Sequence, residues 1–143
     1  MKWDLLNSKE YYWNIITELD WKNVPINSGG TCDYLKLTKK LINKYPLNII
    51  DDLREFVKEK RKILCDKLNE YSISKIGTVN YYGIGDDSFW DLTAHITGCG
   101  HKIYNKILEN PEEAKIMAKN YNYIENFQYV FGESAIETIL NEE

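Results

Sequence analysis

Residues 88–108 read SFWDLTAHITGCGHKIYNKIL, and they carry the clearest helical pattern in the chain. Their apolar side chains recur three and four positions apart, which places them on one face of an α-helix over five turns. This face comprises Phe89, Leu92, Ile96, Cys99, Ile103 and Ile107. Ser88 and Asp91 match a capping box, so the spacing predicts a fourth helix that begins at Ser88. Gly98 and Gly100 each weaken such a helix by about 1 kcal/mol, and we expect them to permit close packing.

Similar apolar stripes predict further helices on both sides of this stretch. They are a first helix after Ser8, a second capped by Thr31 and ending before Pro46, a third from about Asn48 to Tyr71, a fifth opened by Asn110-Pro111 and ending near Asn120, and a sixth through Ile124, Phe127, Phe131, Ala135 and Ile139 that Gly132 divides. Helices with one-sided stripes bury those stripes against each other. The sequence therefore predicts an all-α, single-domain bundle of five to six helices over residues 1–143.

Residues 72–87 are the least regular stretch, and they predict one long irregular loop before the fourth helix. They read SISKIGTVNYYGIGDD, with three glycines that disfavour any long regular element. A short strand around Thr78–Tyr82 is the regular structure that this stretch could contain. Loops of this length in compact domains are often functional.

The composition indicates a folded, mildly acidic protein. The chain has 143 residues, of which 43% are hydrophobic and 13% aromatic, and its net charge is -4. Acids and bases are interleaved between Arg54 and Arg61, and this mixing disfavours nucleic-acid binding. The three cysteines are odd in number and lack paired spacing, and no apolar run suits a signal peptide or a membrane span. We therefore expect a reduced cytoplasmic protein that binds neither nucleic acid nor membrane.

Titratable residues gather around the start of the predicted fourth helix. They are Asp86, Asp87, Asp91, His95, Cys99 and His101. Asp91 and His95 are four positions apart, so they share a helix face, and the carboxylate could orient the imidazole for proton transfer or metal binding. The alternative is that Asp91 only closes the capping box and that His95 is a half-buried surface residue. The sequence assigns no catalytic residue, and Asp91 and His95 stay candidates.

The sequence predicts no metal site and no cofactor. Cys99 lies on the apolar stripe, where a free cysteine acts as a small hydrophobe, and His101 lies about 120° around the helix from His95. A structural zinc site needs four ligands, and Cys32 and Cys65 show no paired spacing. The glycines before the fourth helix lack both the P-loop Lys-Ser/Thr and the third glycine of a dinucleotide turn.

Aromatic residues cluster at the start of the chain and just before the fourth helix. Tyrosine and tryptophan often anchor interfaces, but a chain of this size also needs bulky residues to fill its core. The two clusters are Trp3, Tyr11, Tyr12, Trp13 and Trp21, and then Tyr81, Tyr82, Phe89 and Trp90. We expect most of them to be core. The candidates for binding a partner are Tyr82, Asp86, Asp87 and Trp90.

The segment from Asp86 to Phe131 resembles a known family. Asp86-Asp87-Ser88-Phe89 leads into a helix with Gly100 and Tyr104, followed by Leu108 and Asn110-Pro111. This pattern is similar to the uncharacterised bacterial family called domain of unknown function 4240, whose members tend to carry Asp-Asp-Gly-Phe before a helix. That family often has Trp where this chain has His95, which implies a packing role for this histidine. The resemblance implies a helical fold and offers no reaction.

Three functional hypotheses follow from the sequence. The first is a non-enzymatic protein-binding module, regulatory or immunity-like, because small acidic proteins often bind basic partners by charge complementarity. The second is a small enzyme with an Asp/His acid–base or metal site at the start of the fourth helix. The third is nucleic-acid binding, which the charge balance disfavours. The sequence does not indicate the oligomeric state.

Overall fold

The computed structural model describes residues 6–23, 34–119 and 127–142. Within those ranges the chain forms seven α-helices and two 3₁₀ turns, with no strand. In chain order they are α1 (Leu6–Glu18), the 3₁₀ turn Trp21–Asn23, α2 (Tyr34–Lys44), α3 (Leu47–Ile76), α4 (Asp86–Gly98), α5 (His101–Glu109), α6 (Glu112–Lys119), the 3₁₀ turn Phe127–Phe131 and α7 (Glu133–Asn141). None of these helices is both long enough and apolar enough to cross a membrane.

One hydrophobic core contains side chains from every one of these α-helices. The 30-residue helix α3 is its centre and packs against α2, α4, α5 and the 3₁₀ turn Phe127–Phe131. Its buried apolar face follows the predicted stripe and comprises Ile50, Leu53, Phe56, Val57, Leu64 and Leu68. Full burial of one such side chain contributes about 1.5–3 kcal/mol. Because the described residues form only helices and turns, and the α-helices share one core, the predicted all-α, single-domain fold is confirmed.

The irregular segment before α4 is shorter than the predicted loop of residues 72–87. Helix α3 continues to Ile76 and ends at Gly77, whose positive φ of 79° lets its N–H bond to the carbonyl of Ile73. Glycine favours this left-handed helix end because it has no Cβ. The expected strand around Thr78–Tyr82 is absent from the described residues, and residues 77–85 form turns instead.

The predicted fourth helix is two helices. Helix α4 begins at Asp86 with Gly85 as its N-cap and no side-chain cap, so the capping box of Ser88 and Asp91 was a wrong prediction. The helix is interrupted at Gly100, the N-cap of α5, where φ is +104°. This break raises the number of described helices above the predicted five to six.

The remaining helix boundaries shift by a few residues. Ser8 lies inside α1 rather than at its cap, and α6 begins after Pro111 rather than with it. Gly132 divides the last helical segment as predicted, since it is the N-cap of α7. Thr31 and Ile124, which the sequence placed at a cap and on a stripe, lie outside the described residues.

Candidate functional site

A cleft of about 390 Å³ lies between the middle of α3, residues 77–85 and the first turns of α4. Its volume falls in the range of small-ligand and side-chain pockets. Its walls comprise Cys65, Asn69, Val79, Asn80, Tyr82, Ile84, Asp86, Asp87, Phe89 and Trp90. All four predicted binding residues, Tyr82, Asp86, Asp87 and Trp90, lie in this set. We call this feature the α3–α4 cleft.

Tyr82 is a buried wall of the cleft rather than an exposed anchor. Its hydroxyl donates a hydrogen bond to the carbonyl of Leu68 at 2.7 Å, and its ring packs 5.7 Å from that of Phe89. Burial raises the pKa of Tyr82 well above its ordinary range, so the hydroxyl stays protonated. Tyr82 therefore fastens the segment 77–85 to α3.

Polar contacts hold the same segment at further points. The buried Ser72 hydroxyl donates to the carbonyl of Thr78 at 2.6 Å and accepts the N–H of Tyr81 at 2.9 Å. The carboxylate of Glu112 on α6 accepts hydrogen bonds from the hydroxyls of Tyr71 and Tyr81, and the bond from Tyr81 is the main cause of a lowered pKa of Glu112. These hydrogen bonds hold one wall of the cleft in place without any ligand.

Two carboxylates stand at the rim of the cleft. Asp86 and Asp87 form the first turn of α4, where negative charge interacts favourably with the helix dipole. Both side chains are exposed, and within the described ranges neither forms an ion pair with a lysine or arginine. The rim therefore carries uncompensated negative charge beside an apolar wall.

Trp90 forms the exposed aromatic part of the cleft. It is 47% exposed, and the guanidinium carbon of Arg61 lies 3.5 Å from the centroid of its ring. Nη2 of Arg61 also donates to the backbone carbonyl of Trp90 at 3.3 Å. Burial lowers the pKa of Arg61 to about 10, so the side chain is still charged at neutral pH.

Arg61 is a site residue that was not predicted from the sequence. It stands among the interleaved acids and bases between Arg54 and Arg61, a pattern that is typical of a solvent-exposed helix face. In the structure Arg61 is 5% exposed and lies on the stripe itself, between Val57 and Leu64. These positions are four and three apart, so the helical spacing already contained the signal.

His95 lies in the core, away from the α3–α4 cleft. It is 6% exposed, the indole N–H of Trp21 donates to its Nδ1 at 2.8 Å, and the sulfur of Cys99 lies 3.5 Å from its Nε2. Because an indole nitrogen only donates, Nδ1 is unprotonated and the neutral ring carries its proton on Nε2. Burial lowers the pKa of His95 to about 4. The interpretation of His95 as a half-buried surface residue was therefore wrong.

Asp91 is not a lining residue of the cleft either. It is half-buried on α4, and its charge acts on the nearby Arg61, where it partly offsets the larger effect of burial on the pKa of that side chain. Asp91 and His95, the candidate proton-transfer pair, thus both stand outside the cleft that Asp86 and Asp87 border.

The other candidate ligands for a metal are dispersed in the described part of the chain. His101 stacks on Trp13 with 4.7 Å between ring centroids, and Cys99 packs against the core. Cys65 and Cys99 are free thiols, and Cys32 lies outside the described residues. Among those described, no group of three or more His, Cys, Asp and Glu side chains is arranged to hold a metal ion.

Most of the aromatic side chains are core, as predicted. Tyr12, Trp13 and Trp21 are buried in addition to Tyr82, and Phe89 and Tyr81 are half-buried. The exposed members of the two clusters are Tyr11 and Trp90. Trp3 lies outside the described residues.

A second groove, of about 280 Å³, lies between α5 and α6. It is lined by Ile103, Lys106, Ile107, Glu113, Ile116 and Met117. Its two charged groups already pair with each other, since Nζ of Lys106 lies 3.2 Å from a carboxylate oxygen of Glu113. This groove therefore lacks the uncompensated charge of the α3–α4 cleft.

The fold and the cleft define an all-α domain with an apolar, acid-rimmed cavity between two of its helices. Residues 8–136 match the model of a family described as "Protein of unknown function (DUF4240)". The chain belongs to this family, and the match extends well beyond the segment in which the resemblance is visible from motifs. Neither a curated protein nor a solved structure matches the chain significantly.

Proposed function

We propose that this protein is a non-enzymatic binding module that holds a basic segment of a partner protein in the α3–α4 cleft, in the cytoplasm of a bacterium. The observation that supports this function is the convergence of Tyr82, Asp86, Asp87 and Trp90 on one cleft. These residues come from two different elements, and the hydrogen bonds of Tyr82 to α3 and of Tyr81 to Glu112 on α6 fix the segment that carries Tyr82.

The apolar wall of the cleft favours a partner that covers it. Val79 is 51% exposed, Trp90 is 47% exposed, and Ile84, which also lines the cleft, is half-buried. Exposed apolar side chains that share one concave surface are typical of binding sites, and tryptophan is the residue type most enriched at interface centres. The apolar stem of a partner side chain that packs along this wall would remove the wall from contact with water.

The charge at the rim favours a cation at the end of that stem. Asp86 and Asp87 are unpaired within the described ranges, and the whole chain carries a net charge of -4. Lysine and arginine combine an apolar stem with a cationic tip, so they match a wall of apolar groups bordered by carboxylates. The same charge repels the phosphates of nucleic acid, which supports a protein partner.

The groups in and around the cleft favour binding over catalysis. Cys65 is the thiol that lines it, and burial raises the pKa of this thiol, which reduces the thiolate fraction that could act as a nucleophile. His95 is neutral and engaged with Trp21. The free thiols of Cys65 and Cys99 support a reducing compartment.

The test is a selection of peptides on the wild-type protein from a phage-displayed random library. We expect the selected peptides to carry lysine or arginine next to apolar residues. Their affinity should fall about tenfold or more in Asp86→Asn/Asp87→Asn, because the cation then loses both carboxylates.

The matched control is Glu109→Gln/Glu137→Gln, which changes the net charge equally at two exposed positions outside the cleft. It should bind the selected peptides as the wild type does. Peptides that bind Asp86→Asn/Asp87→Asn as tightly as the wild type, or a selection without any enriched sequence, would overturn the proposed function.

A further inference from the structure

We propose that Arg61 is a positioning residue of the α3–α4 cleft: its contacts with the ring and the backbone of Trp90 hold the Trp90 side chain in place. Its effect on ligand binding rests on the proposed function, whereas its effect on the Trp90 side chain does not. Arg61 itself is not a lining residue, so it would act on a ligand only through Trp90.

Arg61 contacts Trp90 at both the ring and the backbone. Its guanidinium carbon lies 3.5 Å from the ring centroid, and Nη2 donates to the carbonyl oxygen of the same residue. A planar cation over an indole face is a favourable electrostatic contact, and it is stronger when the pair is desolvated. The hydrogen bond to the backbone holds the guanidinium over the ring, and the stacking contact then restricts the rotamer of a side chain that is 47% exposed.

Folding stability does not explain a charge at this position. Arg61 is 5% exposed, and its Nε has no hydrogen-bond partner among the residues that the structure describes. In the described part of the chain it forms no ion pair, although the charge of Asp91 lies near enough to affect it. A buried cation with an unpaired donor destabilises a fold, and an apolar residue of similar volume is often neutral or stabilising in its place.

Arg54, the other arginine of the chain, has a different environment. Arg54 lies two turns earlier on α3, where Nε donates to the carbonyl of Phe131 at 2.7 Å and Nη2 pairs with Asp51 at 3.0 Å. Its donors bond groups of the core and of its own helix, whereas Nη2 of Arg61 donates to a residue of the cleft. Arg54 is therefore the matched control.

The experiment compares Arg61→Met with Arg54→Met in protein labelled with 5-fluorotryptophan. Fluorine-19 NMR reports on each tryptophan separately, and Trp90→Phe assigns the Trp90 resonance. We expect Arg61→Met to keep a Tm at or above that of the wild type, to shift the Trp90 resonance toward that of free fluorotryptophan, and to bind the selected peptides about tenfold more weakly. Arg54→Met should lower the Tm and leave the Trp90 resonance and the affinity unchanged.

A second variant separates the charge from the planar group. Arg61→Lys keeps the charge but cannot stack a planar cation on the ring or fork its donors, so we expect its Trp90 resonance to follow that of Arg61→Met. A wild-type Trp90 resonance in both variants would overturn the inference, and so would an Arg61→Met variant that fails to fold. If the wild type selects no peptide, the proposed function fails while the Trp90 resonance still tests the role of Arg61.

Discussion

The indole N–H of Trp21 donates a hydrogen bond to Nδ1 of His95, with 2.8 Å between the two nitrogens. It joins the 3₁₀ turn after α1 to the last turn of α4, 74 positions further along the chain. Both side chains are buried, and the ring of Phe127 packs 4.8 Å from that of Trp21. The histidine that the sequence offered as a candidate for proton transfer is thus a polar element of the core.

Substitution of Trp21 by phenylalanine should lower the free energy of unfolding by about 2–3 kcal/mol. The change removes the donor to His95, leaves a buried nitrogen unpaired and leaves a small cavity. Urea denaturation measures the loss. Trp13→Phe is the control, because the indole N–H of Trp13 forms no hydrogen bond within the described residues, and an equal loss in both variants would contradict the account of the Trp21–His95 bond.

The stability of the wild type should fall as the pH drops from 7 toward about 4.5. His95 has a pKa of about 4 in the fold and an ordinary value of 6.5. The unfolded chain therefore binds the proton first, so the stabilisation is present above pH 6.5 and is lost as the pH falls through that window. The contribution of this one group to the loss is about 2 kcal/mol.

Carboxylates also titrate in this range, so the comparison is with His95→Gln, whose amide oxygen can accept the bond from Trp21. The variant should lack the His95 part of the pH dependence when unfolding is followed in urea at each pH. Parallel stability curves for wild type and variant would show that His95 is not the titrating group.

Alanine at Gly98 should destabilise the protein by about 1–3 kcal/mol. A Cβ at this position would lie 2.8 Å from the ring of Phe127, which is fully buried and has little room to move. Gly85→Ala is the control, because a Cβ there meets nothing within 4 Å and the φ of -72° suits any residue. Thermal unfolding that ranks Gly85→Ala as the more harmful change would contradict this packing.

Alanine at Ser72 should loosen the wall of the cleft. The hydroxyl bonds both Thr78 and Tyr81, and its loss leaves polar groups of a half-buried turn unpaired, at a cost of about 1–3 kcal/mol. Hydrogen exchange of the amides in residues 77–85 should quicken in Ser72→Ala and stay unchanged in Ser74→Ala, an exposed serine on the same helix. Equal exchange in the two variants would remove Ser72 as an anchor.

The helices were predictable because apolar spacing alone determines which faces are buried. The stripe of α3 and the role of Gly132 are local properties, and both were predicted. The break at Gly100 was not, because the φ of +104° at Gly100 is set where α5 packs beside Thr17 of α1, and that contact joins distant parts of the chain. The end of α3 at Gly77 was missed because serine and lysine near a helix end look like loop residues in the sequence.

In the candidate site, too, local features were predictable from the sequence and long-range contacts were not. Tyr82, Asp86, Asp87 and Trp90 lie within nine positions, so their convergence on one cleft was accessible from local sequence. The partner of His95 was not, because Trp21 is 74 positions away and spacing along one helix cannot reveal it. Arg61 was missed because a charged residue type predicts an exposed side chain, although its spacing from Val57 and Leu64 places it on the buried face of the helix.

Whether a basic segment occupies the α3–α4 cleft is tested most directly by a backbone-amide NMR titration of the wild type with one selected lysine-bearing peptide. We expect saturable shifts confined to residues 79–90 and to the facing turn of α3, with the indole N–H of Trp90 among them. Shifts centred on the groove between α5 and α6, around Ile103 and Ile116, would contradict this proposal.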